Sequence, residues 1–339
     1  MPDTDSKSFF PESDFTVIGA SFAGSLLASR LTKYGRVALF DKTQPGTRLK
    51  CAGGIKAEEF KRLEIEIPHV KAGNIIISAG GKKSGFKSQY VVADRRDIDA
   101  AVLKKAMAAG AVFRKAEYVS HSTGENTVTL RHGGETAEFR YKKLILAKGF
   151  LSRQGGSFHG ASYVEIIESR SKYGDSLYFK ILEDRIGYCW IFPLPEGKIN
   201  IGIGSFSETP FSPSDFKKFK EEQNIDGRVV CKGGGRIPMH PAMSVMKGDV
   251  TLFGDSAGMV LALNGEGLRY ISRMSGLWAE CIAGKKNLNF RWVFSRTFAR
   301  LYVGSAAMRI IIFIEKHFKR GLYSFLCGIG PSVRKLIRR

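Results

Sequence analysis

Acidic residues are in short supply in this chain. Its 339 residues carry 32 Asp and Glu against 53 Lys and Arg, a formal net charge of +21. Such an excess implies an acidic partner: nucleic acid, an anionic membrane or a phosphorylated substrate. Cysteine is sparse as well. The five cysteines (Cys51, Cys189, Cys231, Cys281, Cys327) are odd in number and share no metal-ligand spacing, so neither a disulfide scaffold nor a metal site is expected. With no secretory apolar core in the polar start MPDTDSKSFF, a reduced, cytoplasmic setting is the expectation. No run approaches the ~18 consecutive apolar residues of a membrane span, which excludes an integral membrane protein built on helices.

What is present is ordinary globular material, unevenly charged. Apolar residues make up 43% and charged residues 25%, which excludes wholesale disorder. The 38 glycines fall in clusters rather than a repeat, which excludes a collagen-like or linker chain. At roughly 100–200 residues per domain, the length predicts two domains or one large mixed fold. Residues 285–339 hold thirteen Lys or Arg and one acid, Glu315, a net of +12, along with nine aromatics. The other 284 residues carry only +9. The charge is therefore a property of the C-terminal tail. No recognition motif accompanies it, so nucleic acid is not the expected partner.

The first chemistry-bearing pattern is near the start. An apolar run, Phe15–Ile18, meets Gly19-Ala-Ser-Phe-Ala-Gly24, then the helical spacing Leu26, Leu27, Leu31, then the run Val37–Phe40 and an acid, Asp41. This is strand, glycine turn, helix, strand, with the acid 22 residues beyond the first glycine. Gly19 permits the tight turn, and Gly24 lets the helix pack closely. The helix N-terminus, with unpaired N–H groups, is suited to a pyrophosphate, and Asp41 to an adenosine ribose. Ser21 replaces the usual middle glycine. A dinucleotide site is the reading.

Further along, Asp94–Asp99 leads into an alanine-rich helix over 100–110, and Leu144–Ala147 reads as a strand feeding a turn at Lys148-Gly149. Residues 160–245 alternate like antiparallel strands. Val250–Phe253 then runs into Gly254-Asp255, and Asn264-Gly-Glu-Gly267 opens a helix carrying Leu268, Ile271, Met274 and Trp278. The nucleotide unit is thus interrupted by strand-rich material and completed near the C-terminus. No internal repeat is visible.

Together, Gly19–Gly24, Asp41, Lys50-Cys-Ala-Gly-Gly54, Asp94-Arg95, Ala147-x-Gly149, Gly187-Tyr-x-Trp-x-Phe-Pro193 and Gly254-Asp255 with Gly265-Glu-Gly267 resemble the geranylgeranyl reductase family, FAD-dependent enzymes on the fold of p-hydroxybenzoate hydroxylase. The resemblance covers roughly residues 13–285, and Tyr188–Pro193 and the cysteine-glycine loop at Cys51 are its narrowest signals. It implies an α/β chain with a discontinuous Rossmann-like FAD domain of the glutathione reductase type (13–70, 94–155 and 246–285). An inserted antiparallel-sheet substrate domain (71–93 and 156–245) and a basic helical tail (286–339) complete it. By role, the resemblance gives Gly19, Ser21 and Gly24 the FAD pyrophosphate, and Asp41, with Lys42 beside it, the ribose. It gives Arg95 (or Arg96) the phosphate side, Gly149 the turn by the cofactor, Gly254 and Asp255 the ribityl chain, and Gly265 and Gly267 the flavin edge. Two departures, Lys148 for a small or acidic residue and Leu261-Ala262 for Asn-Pro, mark a divergent branch.

The implied reaction saturates carbon–carbon double bonds of a polyprenyl chain on a lipid or isoprenoid, with FAD as cofactor and an external donor, NADPH or ferredoxin-like. An isolated alkene has no carbonyl to share charge, so a proton donor must act with the hydride. Cys51 and Tyr188 are the candidates, Cys51 the preferred one. Strand period two puts Tyr188, Trp190 and Phe192 on one face as an apolar wall for the chain, with Pro193 expected to end the strand. The alternatives are an FAD-dependent monooxygenase or halogenase of the same fold (the extra Trp-rich halogenase motif is missing) and a non-catalytic, membrane-associated flavin binder. In the tail, Phe290, Phe294, Phe298 and Tyr302 recur at helical spacing while Arg291, Arg296 and Arg300 point elsewhere. That pattern suits peripheral binding to an anionic membrane; the competing reading is that these rings dock on the flavin domain.

Overall fold

Two short apolar strands joined by one helix are suited to parallel pairing, because the helix carries the chain back to the end where the first strand began. The computed structural model describes residues 13–150, 159–206, 211–287 and 296–317. In it Phe15–Ile18 and Val37–Asp41 pair in parallel, with Val17 opposite Leu39. The helices are α1 (Phe22–Leu31), α2 (Ala57–Leu63), α3 (Arg95–Ala108), α4 (Pro213–Glu222), α5 (Leu268–Ile282) and α6 (Arg296–His317). The two strands lie inside a six-stranded sheet, continued by Lys143–Leu146, Val250–Leu252 and Met246–Lys247 on one side and Val112–Lys115 on the other. All four residues of Phe15–Ile18 are buried, as a strand covered on both faces requires. Residues of α1, α3 and α5 cover one face; Val128 and Leu130, from the three-stranded meander over 117–140, cover the other.

Most of the inserted material builds a seven-stranded sheet in the order 229–238, 159–168, 198–205, 187–194, 177–181, 74–79, 82–87. Its pairings are antiparallel except that of Leu177–Ile181 with Asn74–Ala79. One face carries Trp190 and Phe192; the other carries Cys189, Ile191, Ile201 and Ile203 and packs against Phe216 and Phe219 of α4. A small sheet of Gly54–Lys56, Tyr90–Val92 and Val70–Lys71 joins segments from both expected domains.

Three expectations need correction. The helix expected over 100–110 begins at Arg95, because the Asp94 side chain accepts the Arg96 N–H and caps it there. Pro193 does not end its strand, which runs from Gly187 to Leu194 with Pro193 opposite Ile199. Beyond Ile191 this strand has a neighbour on one side only, so the missing proline N–H falls along an open edge. Finally, Phe298 and Tyr302 do not form an outward stripe: Phe298 is fully buried, stacked at 5.7 Å on Trp278 of α5, and the Tyr302 hydroxyl donates to the Ala242 carbonyl at 3.0 Å. Helical period brings both onto the face of α6 that docks on α5 and the Ala242 segment. Phe290, Phe294 and Arg291 lie outside the described residues, as does the Arg296 side chain.

Candidate active site

The glycine turn after the first strand is built by contacts that only glycine tolerates. Gly19 has φ +100°, and a Cβ there would stand 2.3 Å from the Ala147 carbonyl oxygen. A Cβ on Gly24 would stand 1.7 Å from the Gly19 carbonyl oxygen, so α1 rests directly on the turn. Ser21 is the N-cap of α1, extended in backbone, with no capping bond from its side chain. Two carboxylates brace the turn. Asp41 Oδ2 accepts the Ala20 N–H at 2.8 Å and its Oδ1 the Thr43 N–H at 3.0 Å, while Asp99 Oδ1 accepts the Phe22 N–H at 2.9 Å.

Asp99 also settles which arginine faces inward. It lies one helical turn after Arg95 and takes the Arg95 Nε at 2.9 Å, beside the Phe22 ring. Arg96 instead forks onto Asp94 at the cap. Burial is the largest single influence and opposes the Arg95 charge, but Asp99, Cys51 and Asp255 together outweigh it, so the guanidinium is held above its usual range. Burial pushes the Asp255 carboxyl up, and Arg95 and Lys50 pull it partly back.

These groups line one cavity of about 690 Å³. Its lining includes Gly19, Ser21, Asp41 and Lys42 from the first strand–helix–strand unit, Arg95 with its neighbours Cys51 and Asp255, Gly149, and on the far side Gly265 and Gly267 with Tyr188, Trp190 and Phe192. Gly24 and Gly254 stand behind the wall, Gly254 where a Cβ would lie 2.6 Å from that of Ala23 in α1. Gly149, Gly254 and Gly265 have positive φ (+82°, +66°, +71°), while Gly267 does not and serves as N-cap of α5. A wider cleft of about 870 Å³ between Tyr163 and Phe216 holds none of these groups.

Each aromatic of the far wall has a fixed setting. The rings of Tyr188 and Phe192 both meet Phe179 edge-on, at 5.4 and 5.2 Å. The Tyr188 hydroxyl donates to the Asn264 carbonyl at 2.6 Å, beside Gly265. Trp190 is 5% exposed, and its indole N–H donates to Asn200 Oδ1 at 2.8 Å; Asn200 Nδ2 in turn donates to the Cys51 carbonyl at 3.2 Å. Cys51 is half-buried, and its sulfur takes the Gly53 N–H at 3.4 Å. Across the cavity, the Tyr90 hydroxyl donates to Glu266 Oε1 at 3.0 Å.

Sequence reasoning did not find Asp99, Asn200 or Phe179. The Arg95–Asp99 spacing was a usable signal for the first. The alternation Asn200, Gly202, Gly204 was one for the second: a Cβ on Gly202 would stand 2.1 Å from the Trp190 ring, so the glycine makes room for the indole. The cradle of Gly19 and Gly24, the Asp41 carboxylate at the end of the second strand and the buried guanidinium of Arg95 fit an adenine dinucleotide such as FAD.

No protein-family model matches the sequence. By sequence the chain is similar to the chloroplastic geranylgeranyl diphosphate reductase of rice, 25% identical over 315 residues that span 80% of this chain and 66% of that protein, just under two thirds of its length. It is 29% identical over 292 residues to the digeranylgeranylglycerophospholipid reductase of Methanosarcina mazei (75% and 71% covered). It is 28% identical over 312 residues to the menaquinone reductase of Mycobacterium tuberculosis (79% and 76%). In fold it matches a geranylgeranyl bacteriochlorophyll reductase-like protein of Thermoplasma acidophilum with a TM-score of 0.73, at 19% identity, over 96% of this chain and 98% of that one. The flavin-dependent brominase Bmp2 shares the fold at a TM-score of 0.66 and 16% identity, over 96% and 92%. The sequence relatives are reductases of the kind that the motifs resemble, and the fold is that of FAD-dependent oxidoreductases.

Proposed function

We propose that this chain, a relative of the geranylgeranyl reductases, is an FAD-dependent reductase that saturates carbon–carbon double bonds in a polyprenyl chain carried on a lipid or isoprenoid. The observation that carries the reading is the continuity of one cavity, from the Gly19 turn and Asp41 to the ring wall of Phe179, Tyr188, Trp190 and Phe192. A nucleotide-type cradle opening into an aromatic chamber suits a cofactor at one end and a flexible hydrocarbon at the other.

When bound and reduced, FAD supplies the hydride. The chain's own groups do the rest. Gly19, Ser21 and Arg95 take the pyrophosphate, Asp41 and Lys42 the ribose, Asp255, on the turn that Gly254 opens from behind the wall, the ribityl chain, and Gly149, Gly265 and Gly267 allow close approach of the ring. The aromatic wall orients the alkene and excludes water. Cys51, half-buried beside Arg95 and tethered through its carbonyl, gives the proton to the second alkene carbon; the Tyr188 proton is already committed to the Asn264 carbonyl. Electrons enter from an external donor, nicotinamide or ferredoxin-like.

The tail holds this unit at an anionic membrane, where such a substrate resides. The outward face of α6 carries Val303, Ile310 and Phe313, 67%, 59% and 56% exposed, among the exposed cations Arg300, Arg309 and Lys316. Among the described residues, no helix is long and apolar enough to cross a membrane.

The deciding experiment supplements the purified protein with FAD, records its visible spectrum, reduces it anaerobically and adds a geranylgeranyl lipid. A gain of two hydrogens per double bond is expected. No gain of hydrogen under these conditions but a gain of oxygen when the same mixture is opened to air moves the assignment to a monooxygenase, and a protein that takes up no flavin overturns it.

A further inference from the structure

One cation in the cavity wall is used by nothing above. Lys148 follows the strand Lys143–Leu146, and its backbone nitrogen would lie 3.1 Å from a Cβ on Gly19. Its ammonium sits 3.4 Å from the centre of the Tyr118 ring, and the Tyr118 hydroxyl is hydrogen-bonded to His121 Nδ1 at 2.6 Å. Among the described residues no carboxylate pairs with it. Glu117, next along the wall, is engaged by Lys42 at 3.8 Å and Arg131 at 3.4 Å, and Asp41 by backbone amides. Burial alone draws the Lys148 pKa down from 10.5 to about 8. A partly buried ammonium without a counter-charge is unfavourable, and a ring face compensates only in part. A lysine has the reach to put its charge in water; this one lies over the ring inside the wall.

We propose that Lys148 is a ligand for the adenosine-diphosphate half of the cofactor, with the Tyr118 ring as the flat side of the same subsite. This rests on the FAD reading and adds to it a contact that the motifs do not supply, at a position where the sequence departs from the family it resembles. Lys148 and Tyr118 line the cavity together with Gly19, Asp41 and Lys42, the end where adenosine and diphosphate would lie. The diphosphate offers anionic oxygens to the ammonium; the adenine offers ring-nitrogen acceptors to it and a π face to the tyrosine.

The test is calorimetric titration of the full-length chain, freed of flavin, with ADP, adenosine and FAD. Lys148→Met should weaken ADP and FAD by roughly ten- to a hundredfold, the range for hydrogen bonds to charged groups. Lys148→Arg should recover most of the loss. Lys148→Gln serves as the uncharged variant if the methionine protein does not fold. An equal loss for adenosine assigns the contact to the nucleoside; a loss for ADP alone assigns it to the phosphates. Unchanged ADP and FAD affinities in a variant whose parent binds FAD overturn the proposal while leaving the FAD reading intact. A parent that binds neither FAD nor ADP overturns both.

Discussion

Trp190 and Cys51 are joined through a single side chain: the indole N–H reaches Asn200 Oδ1 at 2.8 Å, and Asn200 Nδ2 reaches the Cys51 carbonyl at 3.2 Å. Asn200 and Cys51 are 149 residues apart in the sequence, yet one amide sets the distance between the aromatic wall and the cysteine loop. Asn200 is fully buried and Trp190 is 5% exposed, so the indole N–H cannot turn to water for a replacement bond.

Asn200→Ala should therefore destabilise the protein by about 1–3 kcal/mol, the usual range for a buried donor left unpaired. It should also lower turnover without lowering flavin content, since the loop at Cys51 loses its tether. Thermal melting and flavin absorbance read the two effects separately. An unchanged melting temperature rules out the tether.

The turn makes a sharper demand. Gly24→Ala would drive a methyl to 1.7 Å from the Gly19 carbonyl, a backbone atom that cannot swing aside. The variant should carry no flavin after FAD supplementation. Gly85→Ala, in the outer strand Lys82–Lys87 with its nearest neighbour at 3.8 Å, is the matched control and should keep its flavin. Normal flavin uptake by Gly24→Ala means the cofactor does not sit on this turn.

What could be read in advance was what the chain encodes locally. Gly19, Gly24 and Asp41 belong to one strand–helix–strand unit whose spacing alone fixes their neighbourhood. Asn200 belongs to a strand whose register decides its partner: Trp190 faces Gly202 only because the pairing of Gly187–Leu194 with Lys198–Ser205 puts it there. That register depends on the whole sheet. The two arginines were ambiguous for a related reason, since the helix start decides whether Arg95 or Arg96 faces inward, and the Asp94 cap lies earlier than the alanine-rich pattern suggested. In the tail, helical period identified an apolar face at Phe298 and Tyr302. Period cannot distinguish burial against the protein from burial in a lipid surface, because the two select the same residues.

Cys51 and Tyr188 separate by what their protons already do. Cys51→Ala should lower turnover by roughly 10²–10⁴-fold, the usual contribution of a positioned acid, with flavin binding intact. Tyr188→Phe should cost less than about tenfold, the worth of one ordinary hydrogen bond, because that hydroxyl is spent on the Asn264 carbonyl. The reverse ranking in single-turnover alkene reduction moves the acid to Tyr188.

The exposed face of α6 gives the membrane reading its own test. Replacing Val303, Ile310 and Phe313 together by Ser should reduce flotation with vesicles rich in anionic lipid and leave the melting temperature nearly unchanged, since these side chains are more than half exposed. Undiminished flotation removes this face from the contact.

The Lys148 ammonium makes a prediction about pH in the ligand-free protein. Folding lowers its pKa from 10.5 to about 8, so between those values the unfolded chain binds more protons than the folded one. Stability from this group therefore rises with pH across that window, and the full penalty of burying the cation is felt below about pH 8. The groups facing it lie outside most of the window: burial, then Lys148 itself, pushes His121 below its usual 6.5, and burial pushes Tyr118 above 10. Lys148→Met should melt higher than the parent below about pH 8, with the gap closing as the pH climbs toward 10.5. Saturating ADP should reverse the order at neutral pH, because the ligand stabilises only the chain that keeps its cation. Melting curves across the window, with and without ADP, check both halves; a difference between the two proteins that does not vary with pH contradicts the first.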